Sequence, residues 1–169
     1  MTGLGLLCSR YVNGVAMKHG EVSRGMFPGY PIHSITNGVH ATTWAAPSFQ
    51  ALYDRRLPDW RTDALSLRYA IGIPTAEIWQ AHQEAKRALL DHVNRETNAD
   101  FDCNVLTIGF ARRAAAYKRF LLIFHDLERL VRLVEEAGPL QLIFAGKAHP
   151  SDQEGKAVLR RLHEMRDAL

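Results

Sequence analysis

Two short apolar runs, VLTIGF at Val105–Phe110 and LQLIFA at Leu140–Ala145, restrict the folds open to this chain more than any other feature. Short apolar runs of this kind read as buried strands. Between them, the segment Lys118 to Ala137 repeats Ile123, Leu127, Leu130 and Val134 at helical spacing, with Leu121, Phe124 and Val131 widening the stripe. A stripe that wide belongs to a helix packed on more than one side. Gly138-Pro139 stops it, glycine past the end and proline forbidding continuation. A strand, a helix and a strand joined by a right-handed crossover make the two strands parallel. Gln153 to Leu169 then places Val158, Leu162 and Met165 on one face of a further helix. The predicted class is α/β, in the order βαβα. Two strands do not complete a doubly wound sheet, so the pattern is that of an incomplete, Rossmann-like beginning.

The first predicted strand tips directly into four cations. Arg112, Arg113, Lys118 and Arg119 follow Gly109 closely, and no Asp or Glu occurs between Asp102 and Asp126 to neutralise them. In open α/β sheets the loop at the carboxyl end of a strand is where ligands bind. Arg is a planar bidentate donor and Lys a point charge, and both suit phosphate oxygens. The alternative is a solvated basic loop with no ligand.

Composition bounds the rest. With 169 residues, 47% apolar and 23% charged, the chain is of ordinary soluble type and can bury a sizeable core. A net charge of +3, with bases and acids interleaved outside the basic stretch, does not carry a nucleic-acid signature. Cys8 and Cys103 show no paired spacing, which fits a reducing cytoplasm and gives no structural zinc. The N-terminal apolar run is too short to span a bilayer and lacks a basic lead-in, so neither a signal peptide nor an anchor is expected. Leu6-Leu7-Cys8 reads as a core edge.

Toward the N-terminus a weak helical pattern is interrupted at Asn13-Gly14, and a long stretch punctuated by Gly25, Pro28, Gly29, Pro31, Gly38 and Pro47 reads as irregular. Loops of that length are usually binding loops, linkers or pieces of something larger. Asn13-Gly14 and Asn37-Gly38 are read as tight turns that tolerate positive φ. Leu52 to Ile73 is expected to form short helices. Thr75 is placed as the N-cap of a helix running to about Thr97, with Glu77 in its first turn and an apolar stripe of Ile78, His82, Ala85, Leu89 and Val93. Without a ligand partner one turn on, His82 reads as a packed histidine and not a metal ligand.

Known signatures exclude several chemistries. The Gly-x-Gly-x-x-Gly dinucleotide fingerprint is absent, and Gly146-Lys147 is followed by Ala148 where a P-loop requires Ser or Thr. Neither Gly-x-Ser-x-Gly nor His-Glu-x-x-His occurs, which removes the common hydrolase and metalloenzyme readings.

The runs RYVNGVAMKHGEVSR (Arg10 to Arg24), ITNGVHATTW (Ile35 to Trp44), GFARRAAAYKR (Gly109 to Arg119) and IFAGKAHPSDQEGK (Ile143 to Lys156) resemble the α-glucan phosphorylase family, most of all its compact bacterial branch. The resemblance covers essentially the whole chain. It implies two Rossmann-like domains facing across a cleft, and a glycosyltransferase of glycogen degradation that uses pyridoxal 5'-phosphate. Such an enzyme cleaves terminal α-1,4-linked glucose from glycogen, starch or maltodextrin with inorganic phosphate, giving α-glucose 1-phosphate. The cofactor's phosphate lies beside the substrate phosphate and exchanges a proton with it. Two phosphates pressed together call for several cations.

By the same resemblance, Arg113 and Lys118 match the substrate-phosphate ligands, and Arg112 a basic residue contacting the cofactor phosphate. Trp44 matches an aromatic beside the cofactor, while Asn37, Tyr117 and Val15 match residues near the glucosyl unit. Residues 1–44 would form the tail of the N-terminal domain and residues 45–169 a helical lead-in and the first βαβα part of the C-terminal domain. The implied partners are an α-1,4-glucan and inorganic phosphate or glucose 1-phosphate, with a homodimer for the full-length protein and no nucleic acid or membrane. The implied location is cytoplasmic.

The sequence also departs from the family pattern. The family's cofactor lysine lies in a later Ser-Gly-Thr-containing motif followed by Met-Lys, and Lys18, Lys86, Lys118, Lys147 and Lys156 all lack that context. The upstream glycine-rich loop and histidine are missing too, and Ala114 stands where the bacterial branch often has Phe. The chain therefore reads as an internal piece, Met1 an internal methionine, expected to be inactive alone and to self-associate through uncovered strand faces. Two other readings remain at this point: a non-catalytic phosphate- and glucan-binding module, and a sugar-nucleotide-dependent glucan synthase.

Overall fold

The computed structural model describes residues 2–168, with side chains through Arg166. Its backbone contacts divide into two units, Met1–Ile78 and Trp79–Leu169.

In the first unit, α1 (Thr2–Cys8) leads into β1 (Val12–Gly14), α2 (Met17–Met26) and β2 (Ile32–Ser34). The strands pair in parallel, Val12 opposite Ile32 and Gly14 opposite Ser34, so the segment read as loop is itself a small βαβ unit. Neither Gly14 nor Gly38 has positive φ; among the described residues only Gly29 and Gly138 do so as glycines. Asn13-Gly14 is therefore not a turn. Gly14 is glycine because α2 crosses it closely: a Cβ there would lie 2.6 Å from the Gly20 amide nitrogen. Both residues are buried. The short α3 (Ala41–Trp44) and α4 (Pro47–Arg56) follow, then a 3-10 helix at Ala64–Gly72 opened by Asp63, whose carboxylate accepts from the Leu65 N–H at 2.9 Å. Leu52, Leu57 and Trp60 form the core here. The Trp60 indole donates to Asp54 at 2.8 Å while its ring meets Tyr53 edge-on, with centroids 5.3 Å apart. At the other end Leu6 is buried while Leu7 is exposed, so α1 does contribute a core edge.

The helix α5 (Thr75–Thr97) matches the predicted span, although Thr75 lies inside the first turn: the Pro74 carbonyl accepts from the Glu77 N–H. Its buried positions are Ala81 and Leu90, nine residues and so half a turn apart, one on each flank of the predicted stripe, in which Ile78 and Leu89 are exposed and Ala85 and Val93 half-buried. His82 is exposed and stacks on Trp79, with centroids 5.3 Å apart, instead of packing in the core.

In the second unit β3 (Leu106–Ala111) and β4 (Leu140–Ala145) pair in parallel with Leu106 opposite Leu140 and Ala111 opposite Ala145. The connecting helix is shorter than the periodicity suggests. Two 3-10 turns, Ala116–Lys118 and Leu122–Phe124, precede α6 (Leu127–Ala137), which starts only where the Asp126 carboxylate accepts from the Arg129 N–H at 2.9 Å. Gly138, with φ 105°, ends it as expected. The helix α7 (Gln153–Ala168) closes the unit. A pile of four aromatic rings, Phe110, Phe120, Phe124 and Phe144, joins both strands to the 3-10 turns, and Phe120 is its most buried member at 3% exposure. Leu106 and Ile108 on β3 remain exposed. Among the described residues no helix is long and apolar enough to cross a membrane.

A candidate phosphate site at the ends of parallel strands

Because β3 and β4 are in register, both end at the same level, and the loops that follow them leave from the same edge of the sheet. Side by side, these loops build the basic site. The Arg112 N–H donates to the Ala145 carbonyl at 2.9 Å, extending the ladder past the strand end, and the Ala114 N–H donates to the Lys147 carbonyl at 3.0 Å. Arg113 lies between these two bonds and is exposed, whereas Ala114 is buried at 2% exposure. Arg112 is exposed as well, so both guanidinium-bearing residues lie at the surface of the loop while the alanine turns inward.

Beyond Ala115 the chain coils into the first 3-10 turn, which carries Tyr117 and Lys118. The Lys118 ammonium lies 4.7 Å from the centroid of the Tyr117 ring, a cation–π contact that fixes the lysine head beside the phenol. Arg119 takes a left-handed backbone, φ 56° and ψ 45°, which reverses the chain: its N–H donates to Ala116 at 3.1 Å and its carbonyl accepts from Leu122 at 3.0 Å. A non-glycine residue there costs about 1 kcal/mol. The compensating gain is the burial of the next side chain, Phe120, in the aromatic pile.

Among the described residues no carboxylate pairs with Arg112, Arg113, Lys118 or Arg119; the ion pairs lie elsewhere, at Lys18–Glu21, Arg56–Glu77, Arg61–Asp54 and Arg161–Glu164. Those pairs show the contrast. Asp54 is held down to about 2 by hydrogen bonds from Arg61 and then Trp60, and Glu77 is lowered by its hydrogen bond from Arg56. Among the described residues the cations of the strand-end loop have no such carboxylate partner, so their charge is available to an anion.

In the first unit the candidate sugar contacts also follow parallel strands, Val15 directly after β1 and Asn37 shortly after β2. The structure joins these two: the Asn37 N–H donates to the Val15 carbonyl at 3.1 Å, next to the bond from Ile35 to Gly14 at 2.9 Å. The Val15 N–H in turn donates to His19 Nδ1 at 3.0 Å, which leaves that imidazole nitrogen as the acceptor. The Val15 and Asn37 side chains are exposed. Trp44 is not part of this ladder. It ends α3 with 78% of its surface exposed, on a segment held by Gln50, whose amide donates to the carbonyls of Thr42 and Ala45 at 3.0 and 2.9 Å. The residues that sequence reasoning missed are His19 and the glycines against which the basic loop rests. A histidine five residues past a strand end is a weak signal, and a glycine's close contacts lie across the fold.

The carbohydrate phosphorylase family model matches residues 1–169. The chain is 38% identical to the maltodextrin phosphorylase of Thermococcus litoralis, over 98% of its own length and 23% of the relative's. It is 38% identical to the glycogen phosphorylase of Aquifex aeolicus, over 95% and 27% of the two lengths. With the glycogen phosphorylase of Mycobacterium tuberculosis it shares 37% identity, over 99% and 23%. The chain thus spans about a quarter of the length of the curated relatives it matches. A match over every residue, together with relatives at 37–38% identity over nearly the whole chain, places the chain in the carbohydrate phosphorylase family.

Proposed function

We propose that these residues form the phosphate-handling part of an α-1,4-glucan phosphorylase, an enzyme that releases α-glucose 1-phosphate from glycogen, starch or maltodextrin. The observation that carries the reading is the strand-end loop with four cations and no internal carboxylate. Arg113 and Lys118 bind the substrate phosphate, Arg113 as an outward fork between two backbone bonds and Lys118 as a point charge steadied by Tyr117. Tyr117, with 71% of its surface exposed, offers a hydroxyl to the glucosyl unit; the exposed Asn37 offers its side-chain amide and Val15 an apolar surface.

Arg112, exposed and without an acid partner among the described residues, fits the phosphate of pyridoxal 5'-phosphate, and Trp44 supplies an exposed aromatic face for the same cofactor. When bound, the cofactor supplies a phosphate that exchanges a proton with the substrate phosphate. The residues of this chain bring cations to that pair of phosphates, lowering the repulsion between them. The cofactor's attachment lysine is not assigned to any lysine here, so the 169 residues alone are read as inactive. Residues 1–44 are read as the tail of one domain and residues 45–169 as the start of a Rossmann-like second domain. The exposed Leu106 and Ile108 on β3 support a sheet that extends further.

The test is phosphate binding by the chain, followed by calorimetry or by 31P line broadening. Charge-assisted hydrogen bonds contribute about 1.5–3 kcal/mol each, so Arg113→Ala is expected to weaken binding about tenfold to a hundredfold. Equal binding by the wild type and by an Arg113→Ala, Lys118→Ala double variant would refute the assignment. Preference for a nucleoside diphosphate sugar over phosphate would favour the glucan synthase reading.

A further inference from the structure

We infer that Gly146 and Gly155 are positioning residues of the phosphate site, holding the backbone of Arg112–Ala114 in the one place from which Arg112 and Arg113 face the anion. The inference rests on the phosphate-binding reading of that loop. Neither glycine has positive φ, so neither is needed for a left-handed turn. What each provides is the absence of a Cβ. At Gly146 a Cβ would overlap the Arg112 carbonyl oxygen and approach Phe120 Cζ to 3.3 Å. At Gly155, in the first turn of α7, it would lie 2.5 Å from the Ala114 carbonyl oxygen and 2.9 Å from Asp152 Oδ2.

The atoms met are backbone carbonyls, which cannot turn aside as a flexible side chain can. The loop is also held from the other direction by the bonds from the Arg112 and Ala114 amides to Ala145 and Lys147. The α7 turn is fixed in its turn, since the Gly155 N–H donates to Asp152 Oδ1 at 2.8 Å. A methyl group at either position therefore displaces the 112–114 backbone, and phosphate ligands tolerate displacements of only about 0.5 Å. Gly109, by contrast, has open space where its Cβ would go.

The test is a phosphate titration of the full 169-residue chain followed through the arginine Nε–Hε signals in 15N spectra, with thermal melts alongside. Gly155→Ala and Gly146→Ala are expected to weaken phosphate binding about five- to fiftyfold and to move the Arg112 and Arg113 signals more than those of Arg129 and Arg132 on α6. Gly109→Ala is expected to bind as the wild type does, and Arg113→Ala to bind poorly. If the glycine variants bind as the wild type does while Arg113→Ala does not, the inference is overturned and the phosphate reading stands. If the wild type itself does not bind phosphate, the reading fails and the inference with it. Should Gly146→Ala not fold, Gly155→Ala decides. A weakened Gly155→Ala whose spectrum changes throughout, with the arginine signals moved no more than the rest, overturns it as well.

Discussion

Truncating Phe120 tests how the basic loop is supported. Its ring is 3% exposed and stands edge-on to Phe110, with centroids 4.8 Å apart and planes at 69°; Phe144 lies 6.4 Å away. A buried aromatic removes roughly 150–250 Å² from water, worth about 4–6 kcal/mol at ~25 cal/mol per Å². Alanine retains part of that area and the pile relaxes partly into the gap, so Phe120→Ala is expected to cost about 3–5 kcal/mol. Phe124 stacks on Phe144 at 5.7 Å but is only half-buried, so Phe124→Ala should cost about 2 kcal/mol by the same area argument. Urea denaturation followed by circular dichroism measures both. Since whole domains are stable by only about 5–15 kcal/mol, Phe120→Leu, at about 1–2 kcal/mol, provides a variant certain to be measurable. The ordering is the decisive result: if Phe124→Ala destabilises as much as Phe120→Ala, the pile is not centred on Phe120 and the account of the Arg119 reversal is wrong.

Other outcomes follow from the same physical reasoning. Arg119→Gly relieves a left-handed non-glycine backbone and is expected to stabilise by up to about 1 kcal/mol in the same urea series, while phosphate binding weakens through loss of a cation. Asp126→Ala removes the N-cap of α6 and should cost about 1 kcal/mol, with a matching loss of ellipticity at 222 nm if that helix frays. Asp54 has its pKa lowered from 3.8 to about 2 in the folded chain, so its contribution is fully present above pH 4 and is lost as pH falls toward 2. Melting temperatures across that window should therefore fall for the wild type and fall less for Asp54→Asn. Gly14→Ala forces β1 away from α2 and is expected to cost about 1–3 kcal/mol, read from the urea midpoint.

The second unit was largely legible because its signals are long and mutually consistent. β4 falls where the apolar run placed it, and β3 is shifted by one residue. Gly138-Pro139 ends α6 for the stated reason. α6 starts later than the periodicity suggests because hydrophobic spacing continues through the second 3-10 turn, where the half-buried Leu121, Ile123 and Phe124 mimic a helical stripe. Asp126 was the better guide to that start. The three-residue strands β1 and β2 are too short to show any period, so their parallel pairing could not be read, and Asn13-Gly14 imitated a turn. The unmatched charge of Arg112, Arg113, Lys118 and Arg119 was plain in the sequence because charge and its absence are local. The glycines under the loop were not, since Gly155 meets Ala114 only after the whole crossover has folded. The burial of α5 differs from its apolar stripe because cover comes on two flanks, at Ala81 and Leu90 half a turn apart, and which flanks of a long helix are covered depends on what packs there and not on its own spacing.

The most direct test of the central claim is glucose 1-phosphate release from a maltooligosaccharide and inorganic phosphate, with pyridoxal 5'-phosphate supplied. It would be run on the 169-residue chain and on the product of the full reading frame that contains it, each with and without the pair Arg113→Ala and Lys118→Ala. Release is expected from the longer product only, falling below detection when the two cations are removed. Release that survives their removal would contradict the claim.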